Sequence, residues 1–292
     1  NLISNVAKKS PRQEMFDLYS NKLFLEGIKE IRVTPPFSGN KLEGTCFITG
    51  FNLLDVDSCT EKIDERSDNI LFLGDSTAHN YFFSFKNVLK NIKPDQNVYL
   101  LSVTGCIPLI DSYSKLYDFI GKEDKCENNY RLIKSVIREN RFEAIYVSYR
   151  YTYFSEVSQN SFIESSSLYE FIKELNELAI NNNVILIGQS IEWTEKAANL
   201  NREDIKNKNV QVFSDEKIKE EIFKIDDILK KNTENYKINY FSIIENYCFM
   251  EKCLRYIKFG EDLYAVTLDY IHVSSKFGDL LAENFLLSYI EN

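Results

Sequence analysis

The sequence predicts a three-layer α/β/α sandwich with a five-stranded parallel sheet and an N-terminal extension. Two patterns predict this fold class. Short apolar runs alternate along the chain with longer segments that have the apolar spacing of helices. The first run, Ile70–Leu73, is continuously apolar, as expected for a strand that helices cover on both faces. Strands that alternate with helices are joined by right-handed crossovers, so the sheet is expected to be parallel.

All five predicted strands lie beyond residue 68 and are rich in Val, Ile, Leu, Tyr and Phe. They are Ile70–Leu73, Asn97–Val103, Ala144–Ser148, Val184–Gly188 and Ile238–Ile243. The segments between and after them have apolar residues at helical spacing. These segments predict helices at Tyr81–Leu89, Cys126–Asn140, Leu168–Asn181, Asp215–Lys231 and Ser275–Ile290.

Residues 1–68 are predicted to be a linker or extension packed on the main domain, which spans residues 69–292. Pro35, Pro36 and Gly44 interrupt this segment, which has no clear period. Short apolar runs such as Cys46–Phe51 could form strands. Nothing in the segment has a catalytic pattern.

The charge and the apolar content limit the function classes. The chain of 292 residues has 35 basic and 44 acidic residues, a formal charge of −9. This charge argues against a general nucleic-acid or anionic-membrane surface. No apolar run approaches the ~20 residues of a membrane helix. Because the chain begins at Asn1 rather than at methionine, we expect any export signal or membrane anchor to lie upstream.

The six cysteines fall into three neighbouring pairs: Cys46 and Cys59, Cys106 and Cys126, and Cys248 and Cys253. Local pairing into three disulfides is the simplest arrangement and indicates an oxidising compartment. Reduced, buried thiols in a cytosolic protein are the alternative. We expect no metal site, since neither histidine lies near a cysteine pair and no Cys-x-x-Cys occurs.

Chemically useful residues follow four of the predicted strands. Ser76 follows the first, Gly105 the second, Arg150 the third and Gln189 the fourth. In a parallel sheet these positions meet at the edge formed by the carboxyl ends of the strands. A serine is a poor nucleophile without a base, and the chain has only two histidines. The sequence therefore predicts a site at this edge with Ser76 as the candidate nucleophile.

His272 is the candidate base, and Asp269, three residues earlier, would orient it. The alternative is that His272 merely caps the last helix while Asp269 faces water. His79 lies one helical turn beyond Ser76, and we favour a partly exposed helix histidine without a catalytic role. Asp75 is expected to hold the turn by hydrogen bonds rather than to take part in the chemistry.

Acyl transfer also requires donors aimed at a tetrahedral oxyanion. The backbone N–H groups of Ser76 and Gly105 are the candidates, although Gly105 fits an ordinary turn equally well. Arg150 could serve as a further oxyanion donor or bind the substrate, and a surface salt bridge is the alternative.

These motifs resemble the SGNH hydrolase superfamily, which has a Gly-Asp-Ser turn, here Gly74–Ser76, and a late Asp-x-x-His, here Asp269–His272. Three details are most similar to the extracytoplasmic SGNH domain behind the membrane domain of acyltransferase family 3, the bacterial sugar O-acyltransferases. They are Thr104–Leu109, Tyr149–Tyr151 and the late cysteine pair. The resemblance covers residue 69 to the end and implies a flavodoxin-like sheet. The asparagine that the SGNH pattern usually has after the third strand is absent.

The resemblance implies an O-acyltransferase domain that passes an acyl group, acetyl in the first instance, through an acyl-serine to a hydroxyl of a cell-envelope polysaccharide. The acyl donor would come through an upstream membrane domain of the same chain, with no bound cofactor. The domain would be extracytoplasmic, tethered to that membrane domain, and monomeric when isolated. A carbohydrate O-acetyl esterase with the same three residues is the alternative, and a non-catalytic sugar-binding module is the second alternative.

Overall fold

The computed structural model describes residues 30–32, 45–48, 63, 68–103, 106, 123–153, 161–196, 212–215, 217–287 and 289. The strands are β1 (Glu30–Arg32), β2 (Thr45–Ile48), β3 (Ile70–Gly74), β4 (Val98–Val103), β5 (Ala144–Ser148), β6 (Asn183–Ile187), β7 (Phe213–Ser214), β8 (Ile238–Phe241), β9 (Cys248–Phe249), β10 (Lys252–Leu254), β11 (Tyr256–Phe259) and β12 (Asp262–Ala265). The helices are α1 (Ser76–Ile92), α2 (Glu123–Glu139), α3 (Ser161–Leu178), α4 (Glu221–Thr233), α5 (Ile243–Tyr247) and α6 (Ser275–Leu281), which continues as a π-helical segment, Ala282–Leu286.

The main sheet is parallel throughout and has the strand order β2-β4-β3-β5-β6-β8. All five predicted strands are present, and the predicted α/β class is confirmed. The pairing places Gly74 beside Ser102 of β4 and Ser148 of β5. The carboxyl ends of these three strands are therefore level with one another, and the chain leaves β3 for α1 at that edge.

The sheet has a sixth strand, β2, in the segment predicted to be an extension. It pairs in parallel with β4 at the edge of the sheet. It overlaps the apolar run Cys46–Phe51, which the sequence offered as a possible strand, but its place in the main sheet was not predicted. Most of the segment 1–68 lies outside the described residues, so the predicted boundary after residue 68 stays a prediction.

Helices cover both faces of the sheet. Leu71 and Leu73 of β3 pack in one cluster with apolar residues of α2, α3 and α4. Ile70 and Phe72 pack in a second cluster with apolar residues of α1 and α6. All four of these side chains are fully buried, which explains why this strand is continuously apolar. Among the described residues, no helix is long and apolar enough to span a membrane.

Short strands form two small sheets, with the orders β1-β12-β11 and β7-β10-β9, and four of these strands, β9 to β12, lie between α5 and α6. A disulfide joins Cys248 to Cys253 across β9 and β10. A second disulfide joins Cys106, after β4, to Cys126 in α2. Both pairs were predicted; the predicted partner of Cys46, Cys59, lies outside the described residues.

The first and last helices are in close contact. A Cβ atom on Gly278 of α6 would lie 2.3 Å from the Ser84 Oγ of α1. The same Ser84 hydroxyl donates to the carbonyl oxygen of Ser275, at 3.3 Å. Asn80 of α1 donates in the same way to the carbonyl of Val273, at 3.4 Å. These contacts hold the segment after His272 against the helix that begins with Ser76.

Gly74 permits the close passage of β3 beside β5, because a Cβ there would lie 1.8 Å from the carbonyl oxygen of Ser148. Gly74→Ala is therefore expected to lower the free energy of unfolding by about 3 kcal/mol through overpacking. Urea denaturation measures this change.

Gly260→Ala is the matched control, since Gly260 has φ +60° but nothing lies within 4 Å of the position that its Cβ would take. Gly260→Ala should lower the free energy of unfolding by only about 1 kcal/mol. Equal losses in the two variants would contradict the steric argument.

Candidate active site

The serine turn begins where β3 ends. Ser76 is the first residue of α1, and Asp75 caps the helix by accepting the backbone N–H of Thr77 at 2.8 Å. The same Asp75 oxygen accepts the Thr77 hydroxyl at 2.8 Å, and the other accepts the backbone N–H of Arg150 at 3.1 Å. Asp75 is only 1% exposed. Its hydrogen bonds therefore hold the turn, which is the role that the sequence predicts for it.

The candidate base lies on a tight loop before α6. Thr267 and Val273 form an antiparallel bridge that closes the loop, and Leu268 donates to the carbonyl of His272 at 2.7 Å. Within the loop, one oxygen of Asp269 accepts the backbone N–H of His272 at 2.9 Å. The loop therefore fixes the aspartate and the histidine relative to each other.

The two segments meet through a continuous path of hydrogen bonds. His272 Nε2 lies 2.8 Å from Ser76 Oγ, although 196 positions separate the two residues. His272 Nδ1 lies 2.7 Å from Asp269 Oδ2. When Nδ1–H donates to the carboxylate, the Nε2 lone pair faces the serine hydroxyl. In this arrangement the imidazole can accept the serine proton while the carboxylate stabilises the imidazolium.

The charges of Asp269 and His272 favour the same arrangement. Burial opposes protonation of His272, but the hydrogen bond and the negative charge of Asp269 outweigh burial and raise its pKa. Burial likewise opposes ionisation of Asp269, yet the hydrogen bonds from His272 and Ile271 lower its pKa to about 2. The aspartate is therefore ionised at neutral pH. The His272 side chain is 28% exposed, so solvent or a substrate can approach it.

The candidate oxyanion donors are only partly described. The backbone N–H of Ser76 belongs to the first turn of α1, where N–H groups have no helical acceptor. Gly105 lies outside the described residues. The Arg150 side chain forms an ion pair with Glu192, with Nη2 2.5 Å from Oε1, and its guanidinium lies 4.5 Å from the Tyr153 ring centre. The role of Arg150 in substrate or oxyanion binding stays a prediction.

Sequence reasoning missed Glu192, which is fully buried beside this site. Burial raises its pKa, but hydrogen bonds from Arg150, Lys219 and Thr152 outweigh burial, so the net pKa is lowered. A signal was present, since Glu192 follows β6 and so falls at the edge where Gln189 was expected. Gln189 itself accepts the backbone N–H of Thr152 at 3.1 Å.

The second histidine has a different environment. The ring of His79 packs edge-on against Phe83, with ring centres 4.6 Å apart. Burial and the charge of His272 lower the pKa of His79 to about 4. His79 is therefore neutral over the range in which His272 changes charge. No group of His, Cys, Asp and Glu in the described part of the chain has the arrangement of a metal site.

A parallel α/β sandwich with a serine turn after its first central strand and a late Asp-x-x-His loop defines an SGNH domain. The chain belongs to the family of SGNH domains fused to AT3 domains, whose model matches residues 44–286. The resemblance drawn from the sequence is thereby confirmed. The match begins before residue 69, so it also includes β2.

The chain is similar to several solved structures. The periplasmic domain of a lipopolysaccharide acetyltransferase from Salmonella ser. Paratyphi A is 19% identical, with a TM-score of 0.65, and the match covers 84% of this chain and 91% of that domain. A putative acylhydrolase from Bacteroides fragilis NCTC 9343 is 14% identical, with a TM-score of 0.43 and coverages of 78% and 89%. A GDSL-like lipase from Bacteroides thetaiotaomicron VPI-5482 is 13% identical, with a TM-score of 0.44 and coverages of 80% and 95%. No curated protein sequence matches the chain.

The two histidines should titrate far apart. NMR of the imidazole C–H resonances is expected to give a pKa of about 4 for His79 and a pKa above the ordinary value for His272. Asp269→Asn should lower the pKa of His272, because it removes the charge that favours the imidazolium. His79→Gln assigns the two signals. A His272 pKa that does not respond to Asp269→Asn would contradict the electrostatic pairing.

Proposed function

We propose that this chain is a serine-dependent O-acyltransferase domain that passes an acyl group, acetyl in the first instance, to a hydroxyl of a bacterial cell-envelope polysaccharide. The observation that carries the proposal is the hydrogen-bond path from Asp269 through His272 to Ser76. Membership of the family of SGNH domains fused to AT3 domains supports it. The fold shared with the periplasmic domain of the Salmonella lipopolysaccharide acetyltransferase agrees with it.

In the first half-reaction, Ser76 Oγ attacks the carbonyl carbon of the acyl donor while its proton passes to His272 Nε2. The negative charge moves to the carbonyl oxygen, and the N–H of Ser76 at the helix N-terminus is placed to donate to it. The bond to the leaving group then breaks. The leaving group takes the proton from Nε2, and the acyl group remains as an ester on Ser76.

In the second half-reaction, a sugar hydroxyl gives its proton to Nε2 and its oxygen attacks the ester carbonyl. A second tetrahedral intermediate forms and collapses with release of Ser76 Oγ, which recovers the proton from Nε2. The product is an O-acylated sugar, and the enzyme returns to its starting protonation state. Asp269 remains ionised and holds the Nδ1–H of His272 throughout.

An AT3 domain of the same protein would supply the acyl group, so the SGNH domain itself would bind no cofactor. In this arrangement the domain would lie outside the cytoplasm, tethered to a membrane domain. The disulfides Cys106–Cys126 and Cys248–Cys253 support an oxidising compartment. The isolated domain is proposed to be monomeric.

A carbohydrate O-acetyl esterase is the second candidate. Both activities share the acyl-serine and differ only in whether water or a sugar hydroxyl attacks it. The partial exposure of His272 favours this candidate, because water can reach the base. The hydrogen-bond path alone therefore does not distinguish the two acceptors.

Ser76→Ala tests the nucleophile. It should lower the release of p-nitrophenol from p-nitrophenyl acetate by at least about a thousandfold, because no acyl-serine can form. The melting temperature should change little, since Ser76 is only partly buried and alanine suits the first turn of a helix. Release of p-nitrophenol by wild type and variant at equal rates would contradict the proposal. Release by neither would favour a sugar-binding module.

Added acceptor separates the two enzymatic candidates. With p-nitrophenyl acetate as donor, envelope oligosaccharides should accelerate p-nitrophenol release severalfold if deacylation limits turnover. Mass spectrometry should then detect an oligosaccharide heavier by one acetyl group. Acetate as the only product, at a rate independent of the oligosaccharide, would select the esterase. Ser76→Ala is the control for spontaneous acetylation.

A further inference from the structure

We propose that Glu192 is a positioning residue of this site: its buried carboxylate fixes Arg150 beside the serine turn, and its backbone segment holds the histidine loop. Only the expected effect of Glu192 on kcat rests on the proposed function. Glu192 is not expected to touch the substrate. It would act through Arg150 on one side and through its neighbour Trp193 on the other.

The carboxylate of Glu192 is fully buried and has charged or polar partners on both oxygens. Oε1 lies 2.5 Å from Arg150 Nη2 and 2.5 Å from Lys219 Nζ. Oε2 accepts the hydroxyl of Thr152 at 2.7 Å and lies 3.3 Å from Arg150 Nε. A buried carboxylate with this many donors restricts their positions, since moving one of them leaves charge unsatisfied.

On the serine side, the connection passes through the backbone of Arg150. Its side chain is held by Glu192, while its N–H donates to Asp75 Oδ2 at 3.1 Å. Asp75 is the cap of the helix that begins with Ser76. A shift of Arg150 would therefore disturb the hydrogen bonds that orient the serine.

On the histidine side, the connection passes through the backbone next to Glu192. The N–H of Trp193 donates to the carbonyl of Tyr270 at 2.8 Å, in the loop between Asp269 and His272. The carbonyl of Glu192 accepts the N–H of Lys219 at 3.0 Å. The Trp193 ring is almost completely buried, so this backbone is anchored beside the loop. Glu192 thus lies between the two halves of the site.

The arrangement has an electrostatic consequence for the base. The positive charge of Arg150 disfavours the imidazolium of His272, whereas the negative charges of Asp269 and Asp75 favour it. His79, on α1, is a further titratable group near the ring, since the charge of His272 lowers the pKa of His79. Because Glu192 neutralises Arg150, it moderates the effect of that cation on the base. Removal of either charge should therefore move the pKa of His272, in opposite directions.

Glu192→Gln and Arg150→Met test this in the whole chain. NMR titration of His272 is expected to give a lower pKa in Glu192→Gln, where the cation is no longer neutralised. It is expected to give a higher pKa in Arg150→Met, where the cation is gone. With p-nitrophenyl acetate, Glu192→Gln should lower kcat about tenfold with little change in KM, because the geometry rather than binding is affected.

Glu195→Gln is the matched control. Glu195 lies three positions further along the same segment and pairs at 2.8 Å with Lys217 at the surface. This variant should leave both the pKa of His272 and kcat unchanged. If Glu192→Gln does not fold, the double variant Arg150→Met/Glu192→Gln removes both charges of the pair and leaves fewer unsatisfied groups. Its His272 pKa should lie below that of Arg150→Met alone.

An unchanged His272 pKa in both single variants would overturn the inference. Shifts in the same direction would also overturn it, because general loosening of the loop would move both toward the ordinary histidine value. The titration requires no turnover and so decides the electrostatic link even if the chain hydrolyses no ester. Absence of turnover in wild type would count against the proposed function, whereas normal kcat in Glu192→Gln would count against the positioning role alone.

Discussion

The site depends on the burial of one carboxylate, that of Asp75. Its two oxygens accept three hydrogen bonds, from the N–H and hydroxyl of Thr77 and from the N–H of Arg150. The backbone carbonyl oxygen of Asp75 accepts the hydroxyl of Ser102 at 2.7 Å. Burial raises the pKa of this carboxyl and these bonds oppose the rise, so the charge is tolerated only in this geometry. The ends of β3, β4 and β5 are thereby joined at one point, and the orientation of Ser76 follows from it.

The two histidines show how environment alone separates chemically identical side chains. Both rings are partly buried, and burial disfavours the charged form of each. His272 has a carboxylate at hydrogen-bond distance, and this partner reverses the effect of burial. His79 has an aromatic neighbour, Phe83, which offers no such compensation. Of the two, His272 therefore combines a tuned pKa with contact to the serine hydroxyl.

Most of the fold and of the candidate site that could be predicted came from patterns that are local in the sequence. The strands β3, β4, β5 and β6 are largely apolar because both faces of the sheet are covered there. The contact between Ser76 and His272 was foreseeable because the chain has only two histidines. The sheet order explains why residues after β3, β5 and β6 meet. β2 was named only as a possible strand, and its pairing with β4 was not foreseen because a short apolar run does not show which strand it will join. Glu192 was missed because its partners come from two distant segments, Arg150 and Thr152 after β5 and Lys219 before α4, and no spacing rule connects these segments. Gly105 and Cys59, the predicted partner of Cys46, lie outside the described residues.

The missing side chain at Gly278 has a mechanical consequence. Since α6 approaches Ser84 more closely than any larger residue at position 278 would permit, we expect the helix that carries the nucleophile and the helix that follows the base to move together. Changes of sequence in the surrounding loops are then expected to leave the 2.8 Å distance between Ser76 Oγ and His272 Nε2 unaltered.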